Sequence, residues 1–371
     1  MPKIRIAIAG IGNCASSLVQ GLEYYRRSRE PVGLMHPDLG GYRTEDIEVV
    51  AAFDIDRRKV GRPLEEAIFA LPNNTKDICR DLPRGGVVVQ MGPVLDGVAA
   101  HLAQFRPEER FEPSDAPAVD VSRILRESDA EIFVSYMPVG SQQATEFYAR
   151  ACLDAGVAFV NCVPCFVVSD PKWADQFRAN GLPCVGDDVK AQVGATITHR
   201  TLMRLLAERG MSIDTTYQLN VGGNTDFLNM LARDRLASKK ISKTEAVQSQ
   251  LEEPLEAGHI HIGPSDYVPF LKDNKVCFLR LTARGFGGIP MDIELRLSVE
   301  DSPNSAGVVV DAIRSCRLAL DCSQSGPVLP VCAYTMKHPP VQMYDRDARE
   351  EMETWIETCL QKQAGRQVCG R

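Results

Sequence analysis

Residues 3–22 read KIRIAIAGIGNCASSLVQGL, and the fold turns on how this stretch is understood. The apolar run from Ile4 to Ala9 has the character of a buried strand, and it passes directly into Gly10-Ile11-Gly12. Where a third glycine often stands, the chain has Asn13-Cys14-Ala15-Ser16-Ser17, small residues that open a helical pattern. A strand, G-x-G and a small-residue helix start bring backbone N–H groups to a pyrophosphate at the positive end of the helix. The competing reading is a tight turn followed by a helix cap. Asp54, which ends a second strand in VVAAFDID, favours the nucleotide cradle, because a carboxylate there accepts hydrogen bonds from an adenosine ribose. It also favours NAD over NADP by repelling a 2′-phosphate, although Arg57 and Arg58 keep NADP open. The spacing from Gly12 to Asp54 is long, and the Pro-, Gly- and charge-rich stretch from Arg26 to Glu45 accounts for it as an expected surface insertion.

Outward from this unit, strand-like runs at Ile47 to Phe53, Val87 to Gln90, Ile132 to Tyr136 and Ala158 to Asn161 alternate with helical patterns such as Ser141 to Ala155. That alternation predicts an α/β chain with a doubly wound parallel sheet. Beyond Met211 the runs SIDTTYQLNVGG, KVCFLRLTARGF and MDIELRLSVE are longer, and antiparallel pairing in a second unit of sheet plus helices is expected. Helical periodicity returns at Asn304 to Asp321 and Asp345 to Gln361. These late helices are expected to pack back on the first unit and make it discontinuous, and the tail AGRQVCGR to fray.

With 371 residues and a formal net charge of −7, the chain can bury a large core and lacks the clustered basic surface that nucleic acids require. Its apolar stretches are shorter than a bilayer span and no charged leader precedes a signal-like segment, so a cytoplasmic protein with no membrane partner is expected. Twelve cysteines without regular spacing suit buried thiols. Cys162-Val-Pro-Cys165 could be redox-active or half of a zinc site, but no second C-x-x-C accompanies it, and two packed thiols are the favoured reading.

The chemistry-bearing residues gather in the second half. Lys239 and Lys243 are four apart and share a face if helical, which by itself describes a solvated basic face. The preceding Gly222-Gly223-Asn224-Thr225-Asp226 follows a strand and is of the type that brings backbone donors to a ligand. Asp187, Asp188 and Lys190 precede a helix whose start could hold a phosphate, and Asp301 ends a strand where a helix cap is the ordinary role. His259 and His261 lie on one strand face without an evident third ligand, so no metal site is expected.

In order, the segments AGIGNCASSLVQGLEYY, SYMPVGS, AFVNCVP, VGDDVKAQVGATITHR, LNVGGNTDFLNML, SKKISKTEAV, HIGPSDYV, DSPNSAGVVVDAIR and YTMKHPP resemble the myo-inositol-1-phosphate synthases in their shorter bacterial form. The resemblance implies a discontinuous Rossmann-type NAD-binding domain, 1–200 plus 305–371, with an inserted α+β catalytic and oligomerisation domain, 201–304, that builds a homotetramer. It implies an isomerase of the intramolecular-lyase type that acts on a sugar phosphate. Glucose 6-phosphate is oxidised at C5 by NAD, enolised, closed by aldol attack on C1 and reduced again to 1L-myo-inositol 1-phosphate. The matching motifs put catalytic lysines at Lys239, Lys243, Lys275 and Lys337 and orienting carboxylates at Asp188, Asp226 and Asp301, with Lys239 expected to exchange the C5 hydroxyl proton. Cofactor contacts are expected from Gly10, Gly12, Asn13, Cys14, Ala15, Asp54, Ser135, Pro138, Asn161 and Asp188, and phosphate contacts from Gln192, Gly194, Thr196, Asn224 and Thr225.

Some positions depart from the family pattern: Ala191, Met91, Thr225, Glu300, Cys162 and Cys165. A re-shaped pocket around retained charges would suit a paralogue that converts fructose 6-phosphate into a five-membered cyclitol phosphate for carbocyclic nucleosides. An inactive NAD-binding regulatory or scaffold protein is the non-enzyme alternative, and four retained lysines argue against it.

Overall fold

The computed structural model describes residues 2–28 and 30–369, without the side chains of residues 234, 264, 265 and 366–369. Six strands build the first half: β1 (Ile4–Ala9), β2 (Ile47–Asp54), β3 (Val89–Met91), β4 (Ile132–Ser135), β5 (Ala158–Asn161) and β6 (Pro183–Val185). Between and after them run α1 (Asn13–Ser28), α2 (Leu64–Ala67), α3 (Val121–Glu127), α4 (Gln142–Ala155), α5 (Pro171–Ala179) and α6 (Ala195–Glu208). The second half carries β7 (Ser212–Gly222), α7 (Thr225–Asn229), α8 (Ala237–Gln248), β8 (Ile260–Tyr267), β9 (Asn274–Arg284) and β10 (Pro290–Glu300). It closes with α9 (Asp301–Asp321), β11 (Gly326–Pro327), α10 (Leu329–Thr335) and α11 (Asp345–Cys369).

The first sheet is parallel, in the order β11-β6-β5-β4-β1-β2-β3. Successive residues Ile6, Ala7, Ile8 and Ala9 are all fully buried because helices cover both faces. A ladder of rings, Tyr148, Phe133, Phe159 and Phe177, stacks across one face with centroids 5.1 to 5.9 Å apart. Strand order reverses between β1 and β4, and an open α/β sheet has its ligand crevice at that point, outside the carboxyl ends of the strands. β11 pairs with β6, so the chain after the second sheet returns to the first. α9 packs on α1 with nearly all its sides buried.

Three expectations need correction. The second sheet, β10-β9-β7-β8, is mixed: β9 runs antiparallel to β7 and β10, but β8 is parallel to β7. Parallel neighbours need a crossover, and here it consists of α7 and α8. The stretch from Arg26 to Glu45 is more than a surface insertion, since His36, Leu39, Tyr42 and Thr44 are buried. Arg314 of α9 is itself fully buried, and it donates to the carbonyls of His36 and Tyr42, which satisfy a guanidinium that water cannot reach. The C-terminal helix runs through most of the tail, to Cys369; residues 370 and 371 lie outside the described residues. No helix among the described residues is long and apolar enough to cross a membrane.

Candidate active site

A cavity opens at the crevice where the first sheet changes direction, and the second sheet forms its far wall. The cradle side is built from backbone. Gly10 has φ +86°, in the left-handed region, and a Cβ there would run into the Tyr136 carbonyl. A Cβ on Gly12 would meet nothing, because the space before it is the cavity. Asp54 accepts from three backbone amides, Ile11 N (2.7 Å), Ile55 N (2.7 Å) and Asp56 N (2.8 Å). This rigidly sets the turn opposite the helix start. Cys14, Pro138 and Asn13 also line the space.

The opposite side is built from charged side chains carried by four separate elements. On α8 the buried positions are Lys239, Ser242, Lys243, Ala246 and Val247, a helical stripe in which lysines occupy core sites, whereas Lys240 and Ile241 are exposed. The solvated basic face is thereby excluded. Lys239 Nζ bonds Asp226 at 2.8 Å. Lys275 opens β9, and register places it opposite Val299, so it reaches Asp301 at the start of α9 and pairs with it. A bridge between Val189 and Met336 brings Lys337 beside Asp188, with Nζ 2.8 Å from Oδ1. Asp188 has φ +61°, a strained value for a residue with a side chain; its remaining oxygen accepts from Ser242 at 2.6 Å.

Lys243 differs from the other three. Among the described residues its ammonium has no hydrogen bond or ion pair. Burial and the charges of Lys239, Lys275 and Lys337 push its ammonium down to about 7. For Lys239, burial works the same way, but Asp226 and Asp188 overcome it and the value rises. Burial opposes the charge on Asp188 and Asp301 as well, yet nearby lysines hold both carboxyls below the ordinary range. The cluster is therefore three tight pairs and one cation held close to deprotonation.

The remaining expected residues divide. Gly194, Thr196, Asn224 and Thr225 line the cavity. Asn224 is largely committed to the fold: its carbonyl caps α7 and its amide donates to Asp273. Gln192 lies elsewhere, in an apolar hollow behind α1 and α9, where it donates to the Gly33 carbonyl. Ser135, Ala15 and Asn161 are fully buried and do not reach the cavity surface; Asn161 donates to Cys165 O and to Asp187. Cys162 lines the cavity and Cys165 does not; burial raises both thiols, Cys165 to about 11, as packed thiols require. Among the described residues no group of three His, Cys, Asp or Glu side chains is placed to hold a metal ion.

Sequence reasoning missed Asp273 and Lys59. Asp273 is buried and accepts from Asn13, Thr75, Asn224 and both donors of Ser302. Only its position two residues before Lys275 could have flagged it. Lys59, also buried, lies 4.0 Å from Asp54 and donates to Ile11 O at 2.7 Å. No motif marks it.

The family model for myo-inositol-1-phosphate synthase matches residues 194–302. The inositol-3-phosphate synthase of Mycolicibacterium smegmatis is 53% identical, with 96% of this chain and 98% of that protein covered. Among solved structures, Ari2 is 34% identical at a TM-score of 0.76, covering 96% of this chain and 99% of the other. A myo-inositol-1-phosphate synthase-related protein from Thermotoga maritima aligns at a TM-score of 0.80 and 26% identity, covering 96% and 98%.

Proposed function

Because the chain belongs to the myo-inositol-1-phosphate synthase family and is an isomerase of the intramolecular-lyase type, we propose that it closes glucose 6-phosphate into 1L-myo-inositol 1-phosphate with NAD as a recycled cofactor. The observation that carries this reading is the meeting of a backbone-built cradle and a four-lysine cluster on one cavity. NAD, when bound, supplies a hydride acceptor that becomes the donor at the end of the same turnover. The open space before Gly12 at the start of α1 suits its pyrophosphate, and Asp54 suits its adenosine ribose. Arg57 pairs with Glu112 at 2.5 Å and Arg58 with Asp56 at 2.5 Å, so neither is left to receive a 2′-phosphate, which favours NAD over NADP.

The chain's own groups divide the work. Lys239, Lys275 and Lys337, each held by a carboxylate, stabilise oxygens on which negative charge develops, each donor contributing on the order of 10²–10³ in rate. Lys243 is the group able to take and return a proton near neutrality, a role first expected of Lys239. Gly194 and Thr196, at the start of α6, together with Thr225 face the substrate phosphate.

The test is incubation with catalytic NAD and glucose 6-phosphate or, separately, fructose 6-phosphate, with the product identified by NMR. Inositol phosphate from glucose 6-phosphate is expected. A five-membered cyclitol phosphate from fructose 6-phosphate would establish the second reading, which draws support from Ala191, Thr225 and Cys162: three of the six departures line the cavity, while Met91, Glu300 and Cys165 do not. Net accumulation of NADH would contradict both.

The same reading takes 1–200 plus 305–371 as the NAD-binding domain and 201–304 as the catalytic and oligomerisation domain of a cytoplasmic homotetramer. The exposed apolar residues of β9, β10 and their connection, Phe278, Phe286, Ile289 and Met291, support assembly through the second sheet.

A further inference from the structure

Between α2 and β3 the chain crosses the mouth of the cradle as Asn73-Asn74-Thr75, a segment with no regular structure. Each of its three side chains makes a bond that a surface loop has no need of. Asn73 donates to the Ile11 carbonyl at 3.0 Å and accepts from Lys59 at 2.9 Å, which fastens the segment to the glycine turn. Asn74 forms a reciprocal pair with Asn13, the first residue of α1: its N–H donates to Asn13 Oδ1 and its own Oδ1 accepts from Asn13 Nδ2, both at 2.8 Å. Its side-chain Nδ2 then donates to the carbonyl of Gly223, just past the end of β7, at 3.1 Å. Thr75 Oγ1 donates to Asp273 at 2.8 Å and lies 3.0 Å from Ser17 Oγ on α1.

The far ends of these bonds lie in the catalytic wall. Gly223 is sealed in place, since a Cβ there would strike the backbone at Val268, Pro269 and Lys272. It immediately precedes Asn224, which caps α7, whose Asp226 holds Lys239. Asp273 receives Asn224 as well as Thr75, and stands two residues before Lys275. A contiguous hydrogen-bonded route thus leads from the turn that faces the cofactor space to the carboxylate that orients a lysine.

We propose that Asn74, assisted by Thr75, is a positioning residue that couples occupancy of the dinucleotide cradle to the arrangement of Asn224, Asp226 and Lys239. A ligand that orders Asn13 and the glycine turn settles Asn74. Asn74 in turn holds the Gly223 carbonyl where α7 begins correctly. Linkage makes the effect reciprocal, so substrate must tighten cofactor by the same factor as cofactor tightens substrate.

The inference rests on the reading of the cavity as an NAD and sugar-phosphate site, and the experiment separates the two. NADH affinity is measured by its fluorescence with and without glucitol 6-phosphate, which has no C1 aldehyde to cyclise and cannot pass a hydride to a cofactor already reduced. In the wild type, glucitol 6-phosphate is expected to tighten NADH about fivefold or more, the usual scale of coupling. In Asn74→Asp, which keeps the acceptor for Asn13 and loses the donor to Gly223, the factor falls below about twofold while NADH still binds. Thr75→Val lowers the factor and Thr75→Ser restores it, a rescue that a merely structural role would not show in the coupling ratio. Full coupling in Asn74→Asp and Thr75→Val overturns the proposal, as does a wild type that binds both ligands independently. A wild type that binds neither overturns the functional reading and the proposal with it.

Discussion

The two walls of the cavity are built in opposite ways. The cradle uses backbone: a glycine turn, the start of α1 and an aspartate held by three backbone amides. The other wall uses side chains, four lysines and three aspartates from α7, α8, β9, α9 and the segments around Asp188 and Lys337. A backbone site is fixed by conformation and fails when conformation changes. A charge cluster is fixed by mutual compensation, so each member's properties belong to the whole, and the member left without a carboxylate bears the strain of the rest.

The strongest way to break this contrast is Lys243→Met. Turnover should fall about 10³-fold, within the range for loss of a positioned acid–base group, with NAD affinity retained. Stability should rise at the same time. Because the folded value, about 7, lies below the ordinary lysine value, the unfolded chain holds more protons between about pH 7 and pH 10.4, and stability increases with pH across that window. Below pH 7 the folded protein carries the buried charge at full cost, so the methionine variant should gain of the order of a few kcal/mol at pH 6 and much less at pH 10. Thermal melts at both pH values check the sign, and equal gains at the two would show that Lys243 is not held near deprotonation.

The matching change in the other wall is Gly10→Ala. Forcing an alanine to φ +86° against the Tyr136 carbonyl should cost about 2–4 kcal/mol and weaken NAD at least tenfold. Here stability and binding fall together, the reverse of Lys243→Met. An alanine variant that melts and binds like the wild type would mean that the turn is less constrained than its geometry indicates.

The same division explains what could be read in advance. The glycine turn of the cradle was legible, because strand, glycine turn and helix start are local and Asp54 ends the neighbouring strand, whereas Lys59, which no motif marks, was not. The lysine wall was not: nothing in the order of residues shows that Lys275 and Lys337 meet Lys239, and only the resemblance placed them together. The short β6 and β11 were missed; β8 was read as strand only around His259 and His261, and its parallel pairing with β7, which makes α8 a crossover, was not foreseen. Arg26 to Glu45 misled because its polarity signals exposure, while the buried Arg314 that needs its carbonyls lies almost three hundred residues away. Asn161 and Gln192 carry side chains fit for a ligand, but their amides donate within the fold, and Ser135, whose hydroxyl has no partner among the described residues, is fully buried behind the cavity surface.

A gentler test uses pH on the intact enzyme. If Lys243 must be neutral to take a proton, kcat should decline below about pH 7, approaching tenfold per unit. Lys275→Met removes one of the cations that depress Lys243 and leaves Asp301 unpaired, so the surviving activity should show this limb moved to higher pH. An unmoved limb would assign it to a group outside the cluster.

The smallest expected effect belongs to Arg57, and it sharpens the contrast from the cradle side. Arg57 pairs with Glu112 through a guanidinium that is 62% exposed, and such pairs contribute about 0–1 kcal/mol. Neither it nor Arg58 lines the cavity, and Arg58 is further tied to the carbonyls of Pro107 and Arg110. If the preference for NAD rests on Asp54 and not on these arginines, Arg57→Ala should change the KM for NAD less than about twofold and leave the ratio of NAD to NADP activity where it was. A tenfold loss of NADP activity in that variant would show that Arg57 leaves Glu112 to meet a 2′-phosphate, and selectivity would then depend on a movable side chain in a wall otherwise made of backbone.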